Sequence, residues 1–162
     1  MKLWIIYKNG IGFSKIIAEM LQDHFEEYID VSVGCAKKID PEFLVEEGLD
    51  YIIIGDVIKE EIPSLEIQTW LLKYCEISNT MKHVLRCISG FCVTNPNSSV
   101  QPLWIKFIED NVKAEIFFPP LLDLKLNVDS LSLENGTSDL LKKYSDSFIE
   151  YIIENEKDSK KE

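Results

Sequence analysis

The residues best placed to do chemistry lie in one short loop. The stretch "WIIYKNGIGFSKIIAEML", residues 4–21, joins an apolar, strand-like run to a helix-like pattern through Lys8, Asn9, Gly10, Ile11, Gly12, Phe13 and Ser14. In such a turn, backbone N–H groups point inward at a helix N-terminus, a geometry that attracts a phosphate. Glycine lets the backbone approach a ligand closely. Lys8 and Lys15 flank the loop and either add positive charge to the cradle or are ordinary solvated lysines. The competing reading is a tight turn between two packed elements, which uses glycine with no ligand at all.

Other phosphate motifs do not fit. Lys15 stands where a dinucleotide fingerprint has its third glycine, and Lys37 and Lys38 stand where its ribose-binding acid would be. The P-loop pattern G-x-x-x-x-G-K-[ST] is absent. A receiver domain needs clustered acids after the first strand, and Lys8-Asn9-Gly10 supplies none. His24 falls on the apolar stripe of the first helix and His83 precedes a strand, so neither sits in a ligand set with metal spacing. Cys35, Cys75, Cys87 and Cys92 include no C-x-x-C pair, which argues against a zinc knuckle or a redox dithiol and for buried free thiols in a reducing compartment. No nucleophile–base pair is evident from spacing.

The elements that must position this loop follow from periodicity. Residues 3–7 and 51–54 are continuous apolar runs, as strands buried on both faces read. Residues 31–35 alternate as a strand, another strand is expected at 83–88, and a fifth at 114–118 is stopped by Pro119-Pro120. Between them, apolar residues recur every three or four positions: Ile17, Leu21 and Phe25; Ile67, Trp70, Leu71 and Tyr74; Val100, Trp104 and Phe107; Leu141, Tyr144 and Phe148. Ser14 is the expected N-cap of the first helix. Pro41 opens a short helix that Gly48 stops. Residues 121–136 read as an edge strand or an extended loop, because Leu124, Leu126 and Val128 alternate. Residues 1–154 form one expected domain, and the charged tail 155–162 is expected to fray. Strands alternating with helices predict an α/β fold, a three-layer, doubly wound, five-stranded parallel sheet.

In such a sheet the ligand lies beyond the carboxyl ends of the strands, at the topological switch point. Three loops are selected: 8–14, 55–63 and 89–99. Each begins with or contains glycine: Gly10 and Gly12, Gly55, and Gly90. The bulk composition is compatible with this reading. The chain has 162 residues and a net charge of -11, which repels nucleic acid and anionic membranes. No apolar run approaches the ~20 residues of a membrane span. The N-terminus shows no signal-peptide pattern, so a cytoplasmic protein is expected.

These residues resemble the flavodoxin family, itself an instance of the switch-point rule. The family's first loop, Tyr-Ser-x-x-x-Gly-x-[Ser/Thr], wraps the phosphate of FMN, and "YKNGIGFS" keeps Tyr7, Gly12 and Ser14 in register. "IDPEFLVEEGLDYIIIGDVI", residues 39–58, looks like the passage into the third strand, with Asp50 and Gly55 in the family positions. "ISGF", residues 88–91, matches the start of the loop over the flavin ring. The resemblance implies the strand order 2-1-3-4-5 and FMN as cofactor. It further implies a phosphate cradle from Lys8 to Ser14, and flavin-ring contacts from Asp56, Val57 and Ile58 and from Ser89, Gly90, Phe91 and Cys92. The pattern departs where Lys8, Asn9 and Ile11 replace hydroxyl residues and where the ring loops hold no aromatic besides Phe91. The short aliphatic loops also look like those of the flavodoxin-domain relatives of menaquinone-dependent protoporphyrinogen oxidase.

The leading expectation is an FMN-binding electron carrier with no catalytic side chain of its own, meeting a redox partner through a basic docking surface on that partner. Acidic surroundings oppose added negative charge on the cofactor and lower its potential. Two other readings stand beside it. One is a flavodoxin-fold binding or scaffold module without flavin. The other is an FMN oxidoreductase acting on a quinone- or porphyrin-like substrate.

Overall fold

In the computed structural model, residues 2–8, 12–58, 62–98, 101–127 and 129–159 are described. Strands and helices alternate as β1 (Lys2–Tyr7), α1 (Phe13–Phe25), β2 (Asp30–Cys35), α2 (Pro41–Glu46), β3 (Tyr51–Val57), α3 (Leu65–Met81), β4 (Leu85–Thr94) and α4 (Gln101–Asn111). They continue as β5 (Ala114–Phe117), β6 (Leu122–Asn127), β7 (Ser132–Leu133) and α5 (Thr137–Ser159). The parallel pairings run β2-β1-β3-β4, and both β5 and β6 then pair with β4. β5 and β6 are therefore one fifth strand in two pieces, and the order 2-1-3-4-5 holds. β7 adds a two-residue antiparallel edge to β6.

Side-chain alternation splits the core into two layers. Leu3, Ile5, Tyr51, Ile53, Phe91 and Val93 face α1 and α5, where they meet Leu21, Phe25, Leu141 and Phe148. Ile6, Ile52, Ile54 and Ile88 face the other way, against Leu44, Ile67, Trp70, Leu71, Tyr74 and Trp104. Trp70 and Trp104 are core residues, as the helical stripes predict, with Trp104 fully buried. Asp40 caps α2 by accepting the Glu42 N–H at 3.0 Å, with Pro41 in the first turn. Gly48, at φ 67°, ends that segment in the left-handed region.

Several boundaries differ from the sequence reading. β4 continues to Thr94, so residues 89–94 are strand and not loop. The N-cap of α1 is Gly12, which places Ser14 inside the first turn. Residues 122–127 are strand, the first of the two alternatives, with Leu122–Lys125 paired to β4 and Leu126 and Asn127 to β7. α5 runs through Ser159 into the stretch expected to fray, carried on a face that buries Phe148, Ile149 and Ile152. Among the described residues, no helix is long and apolar enough to cross a membrane.

Register sets the shape of the carboxyl edge. Tyr7, the last residue of β1, lies opposite Gly55, while β3 and β4 continue together through Val57 and Val93. Lys8 N–H donates to Gly55 O at 3.0 Å, and Ile58 N–H to Val93 O at 2.9 Å. The end of β1 is thus a floor, and β3 and β4 rise beside it as a step.

Candidate ligand site at the carboxyl edge of the sheet

The floor of the step is the N-terminus of α1. Gly12 caps it without a side-chain hydrogen bond, and the first turn holds no acidic residue. Among the described residues no side chain takes up the first amides of the helix, which leaves them open to an anion, and the helix dipole adds to the attraction. Gly12 has φ 166°, extended backbone that any residue adopts. Among the described residues, a Cβ placed there would meet nothing within 4 Å. Neither backbone strain nor packing calls for glycine here, whereas a ligand phosphate against the helix end would. Ser14, buried at 4% exposure, donates its hydroxyl to Lys8 O at 3.0 Å and so ties the two ends of the loop. Lys15 Nζ pairs with Glu19 at 3.5 Å one turn on, so its charge is directed along the helix. Asn9, Gly10 and Ile11 lie outside the described residues.

The wall is the segment after β3. Asp56 is fully buried on the α2–α4 face of the sheet. Its Oδ1 accepts the Val57 N–H at 2.8 Å and its Oδ2 the Ser64 N–H at 2.7 Å. Burial pushes its carboxyl above the ordinary range, opposed by the Ser64 and Val57 hydrogen bonds and by the Lys8 charge. Both oxygens are occupied by backbone, so Asp56 closes the loop that follows it. Lys8, Val57, Ile58, Ile62, Pro63 and Gln68 line a cleft of about 410 Å³. Gln68 Nε2 donates to Pro63 O at 2.6 Å and holds the far side of that cleft.

Ser89, Gly90, Phe91 and Cys92 are all buried within β4. The Phe91 ring fills the space over Gly55, where an added Cβ would stand 2.0 Å from it. Gly90 lies under the Trp104 ring, 2.6 Å from where its Cβ would be, and 2.9 Å from Ile54 O. Gly55 and Gly90, two of the four glycines in the selected loops, are thus explained by aromatic packing. Ser89 Oγ donates to Pro119 O at 2.7 Å and accepts from Tyr144 OH at 2.7 Å, which fixes the break between β5 and β6. Burial, and then Asp123, raise the Cys92 thiol well above its usual range, so it carries no thiolate. Beyond the end of β4, the turn Asn95–Ser98 opens onto the edge.

A larger groove of about 680 Å³ runs between the β2–α2 turn and α3, with Lys37, Lys38, Trp70 and the Asp40–Lys73 ion pair on its walls. It lies to the side of the cradle, with α2 capped by Asp40 and the first turn of α3, Leu65 and Glu66, on its wall. The smaller cleft runs from Lys8, which Ser14 ties to the start of α1, to the loop after β3 and the start of α3. Asp123 and Lys125, which the sequence reading passed over, sit on the same edge and hydrogen-bond to Thr94. Their signal was faint: polar residues alternating with Leu122, Leu124 and Leu126. Among the described residues, no group of three or more His, Cys, Asp or Glu is placed to hold a metal. The cysteines are free, with Cys35, Cys87 and Cys92 buried.

Neither a protein-family model nor a curated protein matches this sequence. Solved structures do. Flavodoxin 2 from Bacillus cereus matches with a TM-score of 0.70 at 13% identity, over 93% of this chain and 99% of that one. A flavodoxin from the domain Archaea matches with a TM-score of 0.64 at 15% identity, over 90% of this chain and 97% of its own. The rubredoxin oxygen:oxidoreductase from the anaerobe Desulfovibrio gigas matches with a TM-score of 0.72 at 11% identity, over 93% of this chain but 35% of its own length. The chain therefore has the flavodoxin-like fold, and it spans roughly a third of the last of these proteins.

Proposed function

We propose that this chain binds FMN and passes electrons through it. The observation that carries the reading is the start of α1 at the foot of the β3–β4 step, where Gly12 makes no side-chain cap and leaves space that no described neighbour fills. The amides of the first turn, with Lys8 beside them, would hold the phosphate. The isoalloxazine ring would lie between the Ile58–Ile62 side and the Asn95–Ser98 turn. Bound FMN supplies one- and two-electron chemistry, and the protein binds, orients and tunes it. Flavodoxins among the solved structures, covered almost end to end, support the same reading.

Ile58 and Ile62 offer the ring aliphatic surface, and the described residues of the loops after β3 and β4 hold no aromatic. Affinity then rests more on the phosphate and less on stacking, which elsewhere adds ~0.5–1.5 kcal/mol per aromatic pair. That same lack of aromatics favours the flavin-free binding module as the second reading. With a net charge of -11, the protein would attract a redox partner with a basic docking surface, through an encounter that weakens as salt rises.

The visible spectrum of the purified protein after gel filtration with excess FMN tests this. A flavin band that co-elutes with the protein is the expected result. No co-eluting band at high micromolar FMN overturns the reading in favour of the flavin-free module.

A further inference from the structure

On the α2–α4 face, the carboxyl edge of the sheet carries a row of polar side chains that the phosphate cradle does not use. The register sets Asp56 beside Cys92 and Cys92 beside Asp123, with Thr94 and Lys125 paired one row higher. Lys125 Nζ donates to Asp123 Oδ2 at 2.7 Å, to Thr94 Oγ1 at 2.8 Å and to Ser98 O at 3.2 Å. An ammonium has three N–H bonds, and three acceptors use all of them. Thr94 Oγ1 in turn donates to Asp123 Oδ1 at 2.8 Å, which closes a ring of Lys125, Thr94 and Asp123. The Lys125 and Asp123 side chains are 24% and 11% exposed, so these charge-assisted bonds are largely sheltered from water.

The third acceptor distinguishes this cluster from an ordinary ion pair. Ser98 O belongs to the turn after β4, whose own hydrogen bond runs from Ser98 N–H to Asn95 O at 3.0 Å. Lys125 therefore reaches from β6 across Thr94 to a turn that starts on another strand. We propose that Lys125, with Asp123 and Thr94, is a positioning residue that clamps the Asn95–Ser98 turn in place at the carboxyl edge of the sheet, beside the space proposed for the flavin ring. The ligand half of this proposal rests on the FMN reading, whereas the clamp itself does not.

The pair also has an electrostatic role. Lys125 and Asp123 neutralise one another, so the clamp fixes the turn without adding net charge beside the ring. Removing one member exposes the charge of the other. Lys125→Met leaves Asp123 unbalanced and lowers the flavin midpoint potential. Asp123→Asn leaves Lys125 unbalanced and raises it. Asp56 is unchanged in both variants and cancels from the comparison. A side chain that served only the fold would move both potentials the same way or neither.

The experiment compares wild type, Lys125→Met, Lys125→Arg and Asp123→Asn by titration with FMN and with riboflavin, by potentiometry, and by amide hydrogen exchange in the flavin-free protein. The clamp predicts faster exchange of the Ser98 amide in Lys125→Met and a return toward wild type in Lys125→Arg. FMN and riboflavin affinities both fall on the order of tenfold in Lys125→Met, because the loss is at the ring and not at the phosphate. The potentials of Lys125→Met and Asp123→Asn move in opposite directions. Unchanged Ser98 exchange overturns the clamp. Unchanged flavin affinity, or shifts of one sign, overturns its role toward the ligand. If wild type binds no flavin, the cofactor reading fails by itself, and Ser98 exchange still decides the clamp.

Discussion

Gly12 and Gly55 separate two reasons for glycine. Gly55→Ala drives a methyl into the Phe91 ring, which stands 2.0 Å from the Cβ position, and the ring is locked in a fully buried layer. A loss of about 1–3 kcal/mol is expected, read as a lower urea midpoint at unchanged slope. Gly12→Val meets open space, so its stability cost stays at or below about 1 kcal/mol, the effect of a poorer N-cap. It should abolish FMN binding, because the side chain occupies the space assigned to the phosphate. Retention of wild-type FMN affinity by folded Gly12→Val would place the cradle elsewhere. Asp56 allows a pH test. Its folded carboxyl is raised by burial, so its contribution to stability is full below the ordinary carboxylate pKa. That contribution is lost as pH rises through the raised value. The urea midpoint of wild type relative to Asp56→Asn should therefore fall with rising pH across that range. A flat difference would show that the buried carboxyl does not titrate as its environment requires.

At the scale of elements, α2 is short and depends on its cap. Asp40 accepts the Glu42 N–H and the Lys73 ammonium, which ties α2 to α3. Lys73, and then the Glu42 amide, hold its carboxyl below the ordinary range. Its contribution is therefore present above the ordinary carboxylate pKa and fades as pH falls through the lowered one. Asp40→Ala should cost about 1 kcal/mol at neutral pH by urea unfolding, and less in acid. The start of this helix is legible from Asp40-Pro41 because a cap is a local interaction. The end of β4 is not. "ISGFCVT" carries serine and glycine, residues that read as loop by local preference. Ser89 is tolerated because Pro119 O and Tyr144 OH satisfy its hydroxyl, and Gly90 because Trp104 covers it. Those partners come from the broken fifth strand, α5 and α4.

At the scale of the whole molecule, the order 2-1-3-4-5 turns the connections from β1 and β3 to opposite faces of the sheet, and a crevice opens between them at the carboxyl edge. The sequence alone determined the alternation of strands and helices, the buried runs of β1 and β3, and the core stripes with Trp70 and Trp104. Each is written in local periodicity, which the backbone's own geometry enforces. Tertiary structure decided which glycines serve packing and which leave room, where β4 ends, and that Asp56 closes a loop. It also decided that Lys125 meets Thr94 and Ser98, contacts separated by 31 and 27 positions in the chain. Such contacts depend on strand register, and register is settled by fitting two whole core layers together, not by any one segment.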